Sequence, residues 1–352
     1  MPFSCTLPRA YLIPVQLGLL TSTLLVIYFT YGRDYSLTAW DSVKLSTSSN
    51  HMPATNVESF STSKPHLDAP KTGVPGDEEE YVALCFTAKN EGRNLPEVFQ
   101  HFYHHIGIRR FYIMDDGSRP PLSTFDYPIP SSAITFYYVT PEERHQVDNQ
   151  LYMNRHCHKM FGHQHTWIGF FDSDEYLEVV SPEETLVSIL KGLDANETIG
   201  ALGVNWKMHS SAGHLTRPES TRKSFTKCFH DDPDNNGEHS DNKHVKSFVK
   251  TKYFNGNINP HVYNLLNDTI TVGEDEEPWD WQVLSNPNPA FRIPITRNRL
   301  SLHHYAIKSK EEYEEKMERS KNIEAGKTDW GFWDHVEAGP LTDCFEMTHY
   351  EP

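Results

Sequence analysis

Short apolar runs and helix-start patterns alternate along the chain from residue 81 onward. The apolar runs have no helical period and predict buried strands at 81–88, 110–115, 134–139 and 166–172. Capping patterns, in which Asn, Thr or Ser is followed three residues later by Glu, predict helices over 94–107, 140–161 and 181–192. This order of elements, with short connections, is typical of an α/β fold with a mainly parallel sheet flanked by helices.

The first 80 residues have a different pattern. The stretch 11–31 carries no charged residue and is long enough to cross a bilayer as a helix. It predicts a transmembrane signal anchor after a cytoplasmic tail of residues 1–10, with a cleaved signal peptide as the alternative. Residues 32–80 are rich in Ser, Thr and Pro, which predicts a flexible stem. Residues 81–352 are then expected to form one lumenal domain.

Composition excludes one large class of partner. The 352 residues include 32 Lys and Arg against 48 Asp and Glu, which gives a formal net charge of −16. Nucleic acid is therefore not an expected partner, because phosphate backbones bind to basic surfaces. The sequons that begin at Asn196 and Asn267 agree with a secretory location. Sequence does not choose among the three complete pairings of the lumenal cysteines, Cys85, Cys157, Cys228 and Cys344.

Polar clusters follow three of the predicted strands. In a parallel sheet the carboxyl ends of the strands meet at one edge, and ligands bind beyond that edge. One such cluster alone is typical of a solvated turn, whereas three on one edge favour a site. The clusters are Lys89-Asn90-Glu91, Asp115-Asp116 and Asp172-Ser173-Asp174-Glu175.

The segment from Asp172 to Asp174 has the most specific chemistry of the three. Two carboxylates that flank one small residue can approach a single hard cation from one side, and Mg²⁺ and Mn²⁺ prefer oxygen ligands. The strongly apolar strand before Asp172 is expected to hold this loop rigidly at the edge of the sheet. The pattern therefore predicts a divalent-metal site.

Four stretches of the chain resemble the family 92 glycosyltransferases, whose GT-A fold is a Rossmann-like α/β fold. An anchor, a stem and a lumenal domain are also the usual layout of Golgi glycosyltransferases. The resemblance thus implies a single-pass type II protein of the Golgi or another secretory-pathway membrane. The similar stretches are 89–118, 157–179, 246–254 and 303–320.

The resemblance implies an inverting transfer of a hexose, with galactose as the usual one, from a UDP-sugar to a glycan or glycoprotein acceptor. It also implies Mn²⁺ or Mg²⁺ at the diphosphate of the donor. Carried onto this chain, it places Glu91 and Asp116 at the nucleoside, with Lys89 in the same nucleotide-sugar site. Lys246 is a candidate for balancing the diphosphate charge, and Lys308 is a weaker one.

Three residues are implied as the metal shell. Asp172 and Asp174 correspond to the paired carboxylates, and Asp172 also faces the donor. His304 corresponds to a late His that often completes the shell in this fold. His303 is the alternative, because successive residues of a strand point to opposite faces.

The base for an inverting transfer must reach the acceptor hydroxyl. Asp280, between Trp279 and Trp281, is the preferred candidate, because aromatic faces commonly stack on sugars. Asp329 and Asp334 have similar neighbours, and an ordinary turn or core edge is the structural alternative at all three positions. Two other functions are kept as alternatives: an inactive glycan-binding protein on the same fold, and a metal-dependent hydrolase.

Overall fold

A computed structural model describes residues 80–144, 149–284, 287–320 and 329–351. Within this part of the chain, no helix is both long and apolar enough to cross a membrane. The predicted tail, anchor and stem lie outside the described residues, except for Glu80 at the end of the stem. Two X-Pro peptide bonds of the described part are cis, those that precede Pro120 and Pro294.

The strands of the described residues belong to one large sheet and two small ones. Strands β1 to β6 are Val82–Ala88, Phe111–Asp115, Ile134–Tyr138, Trp167–Phe171, Glu175–Val179 and Ile199–Met208. Strands β7 to β13 are Lys227–Phe229, Val245–Lys250, Phe254–Asn257, Tyr263–Leu265, Ile270–Val272, Leu300–His304 and Leu341–Asp343.

The helices connect and cover these strands. Helix α1 continues into a π-helical turn, His101–Ile106, which ends at Gly107 in the left-handed conformation (φ 86°). Short 3-10 turns join several of the other elements. Helices α1 to α6 are Leu95–Gln100, Asn149–Phe161, Leu186–Asp194, Thr221–Ser224, Lys310–Ser320 and Trp330–Ala338.

The large sheet has the strand order β3-β2-β1-β4-β8-β6-β12-β5, and β11 pairs with β6. Strands β3, β2, β1 and β4 are parallel, as are β6, β11 and β12 among themselves. Strand β8 runs antiparallel between β4 and β6, and β5 runs antiparallel to β12 at the far edge. The carboxyl ends of β1, β2, β4, β6 and β12 therefore lie at one edge of the sheet.

Alternation along the central strands produces two apolar cores, one on each face of the sheet. Leu84 and Phe86 of β1 pack on one face with α1 and α3, whereas Ala83 and Cys85 pack on the other face with α2. Both faces of β1 are buried, which is why its sequence is a continuous apolar run.

The predicted parallel sheet is confirmed in its first half, and all four predicted strands are present within about one residue. The second half is mixed, because β8 and β5 run in the opposite direction. Hydrophobic runs are expected of any buried strand and do not report its direction, so this difference was not readable in the sequence.

Two predicted helix starts were wrong. The Thr140–Glu143 capping contacts form, with Glu143 N donating to Thr140 Oγ1 at 3.3 Å, but residues 141–143 are a turn and α2 as described begins at Asn149. The third helix begins at Leu186, because Thr185 and Ser188 form the capping box there. The Thr185–Ser188 capping box directly follows the Ser181–Glu184 pattern, and it is the one that starts the helix.

Two disulfides fix the pairing that the sequence left open. Cys85 of β1 is joined to Cys157 of α2, and Cys228 of β7 is joined to Cys344 after β13. His209 lies beside the second disulfide, and its ring with the two sulfur atoms forms a compact group. Because both sulfur atoms are used by the disulfide, this group is not a metal site.

Candidate active site at the carboxyl edge of the sheet

The loop that joins β4 to β5 carries Asp172, Ser173 and Asp174 to the carboxyl edge of the sheet. Strand β4 is buried along its whole length between β1 and β8, so the loop has a rigid base. Gly169 permits this close packing, because a Cβ at that position would come within 2.9 Å of the Leu84 and Phe248 side chains.

Asp172 is held from two sides. Lys246 Nζ of β8 donates to Asp172 Oδ2 at 2.7 Å, and Gln150 Nε2 of α2 donates to Asp172 Oδ1 at 2.7 Å. The Asp172 side chain keeps 34% of its surface exposed, whereas Lys246 is buried. Asp172 is therefore oriented by partners below and beside it while its carboxylate still faces the open site.

Asp174 and His304 face each other across a gap. Lys316 Nζ donates to Asp174 Oδ2 at 2.8 Å, but Asp174 Oδ1 is buried and has no hydrogen-bond partner. His304 Nε2 lies 3.6 Å from Asp174 Oδ1, too far for a hydrogen bond. Two ligands of one divalent cation lie within about 4 Å of each other, since each bond is about 2.1 Å long. These two donors therefore fit a cation between them.

Strand alternation resolves the choice between the two neighbouring histidines in favour of His304. His303 points to the opposite side, where its Nδ1 lies 2.9 Å from His209 Nε2 and its Nε2 lies 2.9 Å from Glu178 Oε2. Burial lowers the pKa of His303 to about 3. His303 is thus a neutral core residue, and His304 is the one that faces Asp174.

The carboxyl groups of Asp174 and Glu175 have pKa values shifted in opposite directions. Burial acts to raise the pKa of Asp174, but the ammonium group of Lys316 and the neighbouring His304 ring outweigh it and hold that pKa well below its usual value. Burial raises the pKa of Glu175 well above its usual value, and the carboxylates of Asp172 and Asp174 raise it further. Asp174 is thus anionic, whereas Glu175 is pushed towards its neutral form.

Lys246 contacts the carboxyl groups of both Asp172 and Glu175. Burial alone would lower its pKa, but Asp172 and Glu175 outweigh burial and raise that pKa above its usual value. Its ammonium group lies 3.6 Å from Glu175 Oε2 as well as 2.7 Å from Asp172 Oδ2. Lys246 therefore stays charged inside the protein and fixes Asp172.

The predicted nucleoside-binding residues lie at the ends of β1 and β2. Asp116 Oδ2 accepts from Arg144 Nη2 at 2.8 Å and lies 3.9 Å from Lys89 Nζ, while Asn149 Nδ2 donates to Asp116 Oδ1 at 3.1 Å. Burial raises the pKa of Asp116 despite the two cations. Asp115, in contrast, is the last residue of β2, and its carboxylate accepts hydrogen bonds from the backbone N–H groups of residues 118 and 122.

Glu91, three residues after the end of β1, contacts α5. Its Oε1 accepts from Arg319 Nη2 at 2.8 Å, and the same carboxylate bonds to Asn94. Lys308 is buried nearby, and both residues line the small cavity that also contains Asp174. Of the predicted site residues, Glu91, Asp174 and Lys308 thus share one cavity.

Several residues of this edge were missed by the sequence analysis. Asn149 and Gln150 at the start of α2 bind Asp116 and Asp172, and they follow a segment with no recognisable motif. Lys316 lies on α5, whose sequence is charged on most faces, and no local pattern sets this lysine apart from its neighbours. Glu175 was seen only as part of the acidic cluster. The only sequence feature that could have indicated Glu175 is its position directly after Asp174.

Asp280, the preferred base, is exposed and caps the 3-10 turn Trp281–Val283, with its carboxylate accepting from Gln282 N at 2.9 Å. Its neighbour Trp279 is anchored, since the indole packs over Gly203 of β6 and donates to Phe291 O at 2.7 Å. Within the described residues, no hydrogen bond or ion pair joins Asp280 to Asp172 or Asp174.

The model of glycosyltransferase family 92 matches residues 98–322 of the sequence, which is well over half of the chain. The chain therefore belongs to glycosyltransferase family 92. This match includes Asp116, the loop from Asp172 to Asp174, Lys246 and His304. No curated protein has significant sequence similarity to the chain.

Many solved structures, among them the following three, have partial similarity to the chain. A mannosyltransferase from Pyrobaculum calidifontis in complex with GDP-Man and Mn²⁺ is 19% identical, with a TM-score of 0.27 and 40% of each chain aligned. A 4-diphosphocytidyl-2C-methyl-D-erythritol synthase from Anaerococcus prevotii is 12% identical, with a TM-score of 0.25 over 50% of this chain and 72% of the other. An active-site mutant of LgtC is 15% identical, with a TM-score of 0.23 over 48% and 57%.

Proposed function

We propose that this protein is an inverting glycosyltransferase that moves galactose from UDP-galactose to a glycan or glycoprotein acceptor with the help of Mn²⁺ or Mg²⁺. The observation that carries the metal site is the buried, unpaired Oδ1 atom of Asp174 opposite His304 Nε2. Family membership supports the transfer of a sugar. The donor and the inverting course rest on the resemblance to the family.

Asp172, Asp174 and His304 would hold the cation. Asp172 and Asp174 are matched by Lys246 and Lys316, so these four groups are neutral as a set. A divalent cation, when bound, supplies the positive charge that stabilises a departing nucleoside diphosphate. Lys246 would keep Asp172 in place when a cation binds. The Lys246 ammonium group has little freedom to move, because it is buried and also contacts Glu175.

The nucleoside is assigned to residues that follow β1 and β2. Lys89 and Asp116 lie beside the start of α2, and Glu91 lies across the end of β1. Asp116 has a pKa raised by burial, but it is surrounded by the N–H donors of Arg144 and Asn149 and is held in one orientation. A carboxylate fixed in this way is suited to accept hydrogen bonds from ribose hydroxyls.

Asp280 remains our proposed base for the acceptor hydroxyl. Its carboxylate is exposed, and the neighbouring Trp279 is fixed on β6, which is the kind of platform that a sugar ring can contact. We also place the catalytic domain in the lumen of the secretory pathway, anchored by residues 11–31. The two disulfides support an oxidising compartment.

Turnover of nucleotide sugars tests this function. Full-length protein in detergent is given a panel of UDP- and GDP-sugars and glycan acceptors, with Mn²⁺ or with EDTA. We expect transfer from UDP-galactose that stops in EDTA, and a loss of about 100-fold or more in Asp172→Asn and Asp174→Asn. The matched control is Asp343→Asn, which removes an exposed carboxylate paired with Lys227.

Three results would contradict the proposal. Full activity in EDTA or in both site variants would remove the metal from the mechanism. Binding of UDP without turnover of any donor would favour the inactive glycan-binding protein. Release of free sugar or phosphate with no dependence on acceptor would favour the hydrolase.

A further inference from the structure

Helix α5 turns one charged face towards the candidate site. Tyr313, Lys316 and Arg319 are spaced by three residues and therefore share a face of the helix. Tyr313 on this face is fully buried, and the Lys316 and Arg319 side chains are 32% and 18% exposed. The many charged residues of α5 are typical of an exposed helix, but this face of it is largely covered.

The two cations on this face contact predicted site residues. Lys316 Nζ lies 2.8 Å from Asp174 Oδ2 and 2.8 Å from the carbonyl oxygen of Ala306. Arg319 Nη2 lies 2.8 Å from Glu91 Oε1. Each cation thus reaches a carboxylate that we assign to the metal or to the nucleotide sugar.

Further ion pairs hold α5 against the start of α1. Arg217 donates from Nη1 to Glu312 Oε1 at 2.7 Å and to Asn94 Oδ1 at 2.6 Å, and from Nη2 to Glu315 Oε2 at 2.6 Å. Glu312 and Arg217 are both largely buried, so these contacts are shielded from solvent. The position of Lys316 is therefore set by the fold rather than by a flexible surface helix.

A cavity separates α5 from the β4–β5 loop, and Asp174 lies in its wall. Cationic side chains outnumber the carboxylates along this wall, although the chain as a whole is strongly acidic. The excess is a single positive charge, because Glu91, Asp174 and Glu312 line the same wall, and it favours an anion over a second cation. The four cations are Arg217, Lys308, Lys316 and Arg319.

We propose that Lys316 is a phosphate-binding residue of the donor site, and that it exchanges Asp174 for the diphosphate of the nucleotide sugar when a divalent cation binds. The physical reason is charge. A cation held by Asp174 would offset the carboxylate that Lys316 contacts and would repel the Lys316 ammonium group. The negative diphosphate of a donor would attract that ammonium group in turn. This inference rests on the proposed function.

Binding, measured apart from turnover, tests the role of Lys316. Full-length wild-type protein and Lys316→Met are titrated by calorimetry with UDP in the presence of Mn²⁺, and with uridine, which lacks phosphate. We expect Lys316→Met to weaken UDP binding by about tenfold or more, as expected for a hydrogen bond to a charged group, and to leave uridine binding unchanged. Lys316→Arg is expected to recover most of the affinity for UDP.

The matched control is Lys310→Met, which makes the same substitution on an exposed residue of the same helix. A second measurement follows Mn²⁺ alone by electron paramagnetic resonance. Without nucleotide, Lys316→Met should bind Mn²⁺ at least as tightly as the wild type, because the competing ammonium group is gone.

The outcomes separate this inference from the proposed function. Wild-type protein that binds neither UDP nor GDP with Mn²⁺ overturns the proposed function and this inference together. Equal UDP affinity in wild type and Lys316→Met, or an equal loss for UDP and uridine, overturns the role of Lys316 alone. Weaker Mn²⁺ binding by Lys316→Met in the absence of nucleotide also overturns it.

Discussion

Individual charged residues near the site are held by partners that come from distant segments. Glu97 of α1 shows this most completely, since its carboxylate accepts from Ser220 Oγ at 2.7 Å, Thr221 N at 2.8 Å and Arg222 N at 3.2 Å. Burial acts to raise the pKa of Glu97, but these hydrogen bonds and the charge of Arg222 outweigh it and lower that pKa below the ordinary value of 4.5. Glu97 thus fastens the segment around α4 to α1.

This carboxylate should contribute stability that depends on pH. Because the pKa is lowered in the folded state, the contribution is complete above about pH 4.5 and is lost as pH falls through the lower folded-state pKa. Glu97→Gln should therefore reduce the free energy of unfolding by about 1–3 kcal/mol at pH 7 and by less at pH 3.5. Urea unfolding of both proteins at the two pH values checks this.

The control for Glu97 is Glu219→Gln, which changes an exposed carboxylate of the same segment. Equal stability of Glu97→Gln and the wild type at pH 7 would show that the three hydrogen bonds make no net contribution. A difference that grows as the pH falls would contradict the direction of the pKa shift.

At the scale of elements, α2 connects the scaffold to the site. Its first residues, Asn149 and Gln150, bind Asp116 and Asp172, and Cys157 in its last two turns is joined to Cys85 in the middle of β1. The disulfide closes a sequence separation of 72 residues, so it removes much freedom from the unfolded chain. Helix α2 is thus fixed at one end by a covalent bond and contributes to the site at the other.

Removal of this disulfide should affect both stability and binding. We expect the Cys85→Ala, Cys157→Ala double variant to lose about 3–4 kcal/mol of unfolding free energy and to bind UDP more weakly, because α2 is no longer fixed on β1. Denaturation without reductant and calorimetry measure the two effects. Cys5→Ala is the control, since Cys5 takes part in neither disulfide. Unchanged stability of the double variant would mean that non-covalent packing alone fixes α2.

At the scale of the whole described domain, the sheet has two functionally different edges. The candidate site occupies the carboxyl edge, while Asn196 and Asn267 lie at the opposite edge. Pairing of Ile199 with Ile270 brings the two sequons side by side before the starts of β6 and β11. Strand β6 has ten residues and separates the edges by about 30 Å. Both asparagines are exposed, and Thr198 Oγ1 donates to Asn196 Oδ1 at 2.8 Å.

If the domain is lumenal, both asparagines should carry glycans without obstructing the site. Protein from a eukaryotic secretory host should gain mobility after removal of N-glycans, and Asn196→Gln and Asn267→Gln should each remove one step. The double variant should keep its transfer activity, because both positions lie far from Asp174. Asn235→Gln, an exposed asparagine outside any sequon, is the control. No change in mobility would contradict the lumenal location.

Much of the local structure was determined by the sequence itself. The continuous apolar runs of β1, β2 and β4 specify buried strands, because such runs are stable only when both faces are covered. The Asp172-Ser173-Asp174 segment directly after β4 specifies a carboxylate pair at the carboxyl edge. Gly107 specifies the end of the first helix, because it adopts a positive φ angle.

Only the tertiary structure decided which distant groups meet at that edge. The choice of His304 over His303, the pairing of the cysteines, and the contacts of Lys316 and Gln150 with the two aspartates all depend on the packing of separate elements. Local sequence patterns encode backbone conformation and burial over a few residues. Contacts between side chains 22 and 142 residues apart depend on how the whole sheet is assembled, and no short pattern reports that.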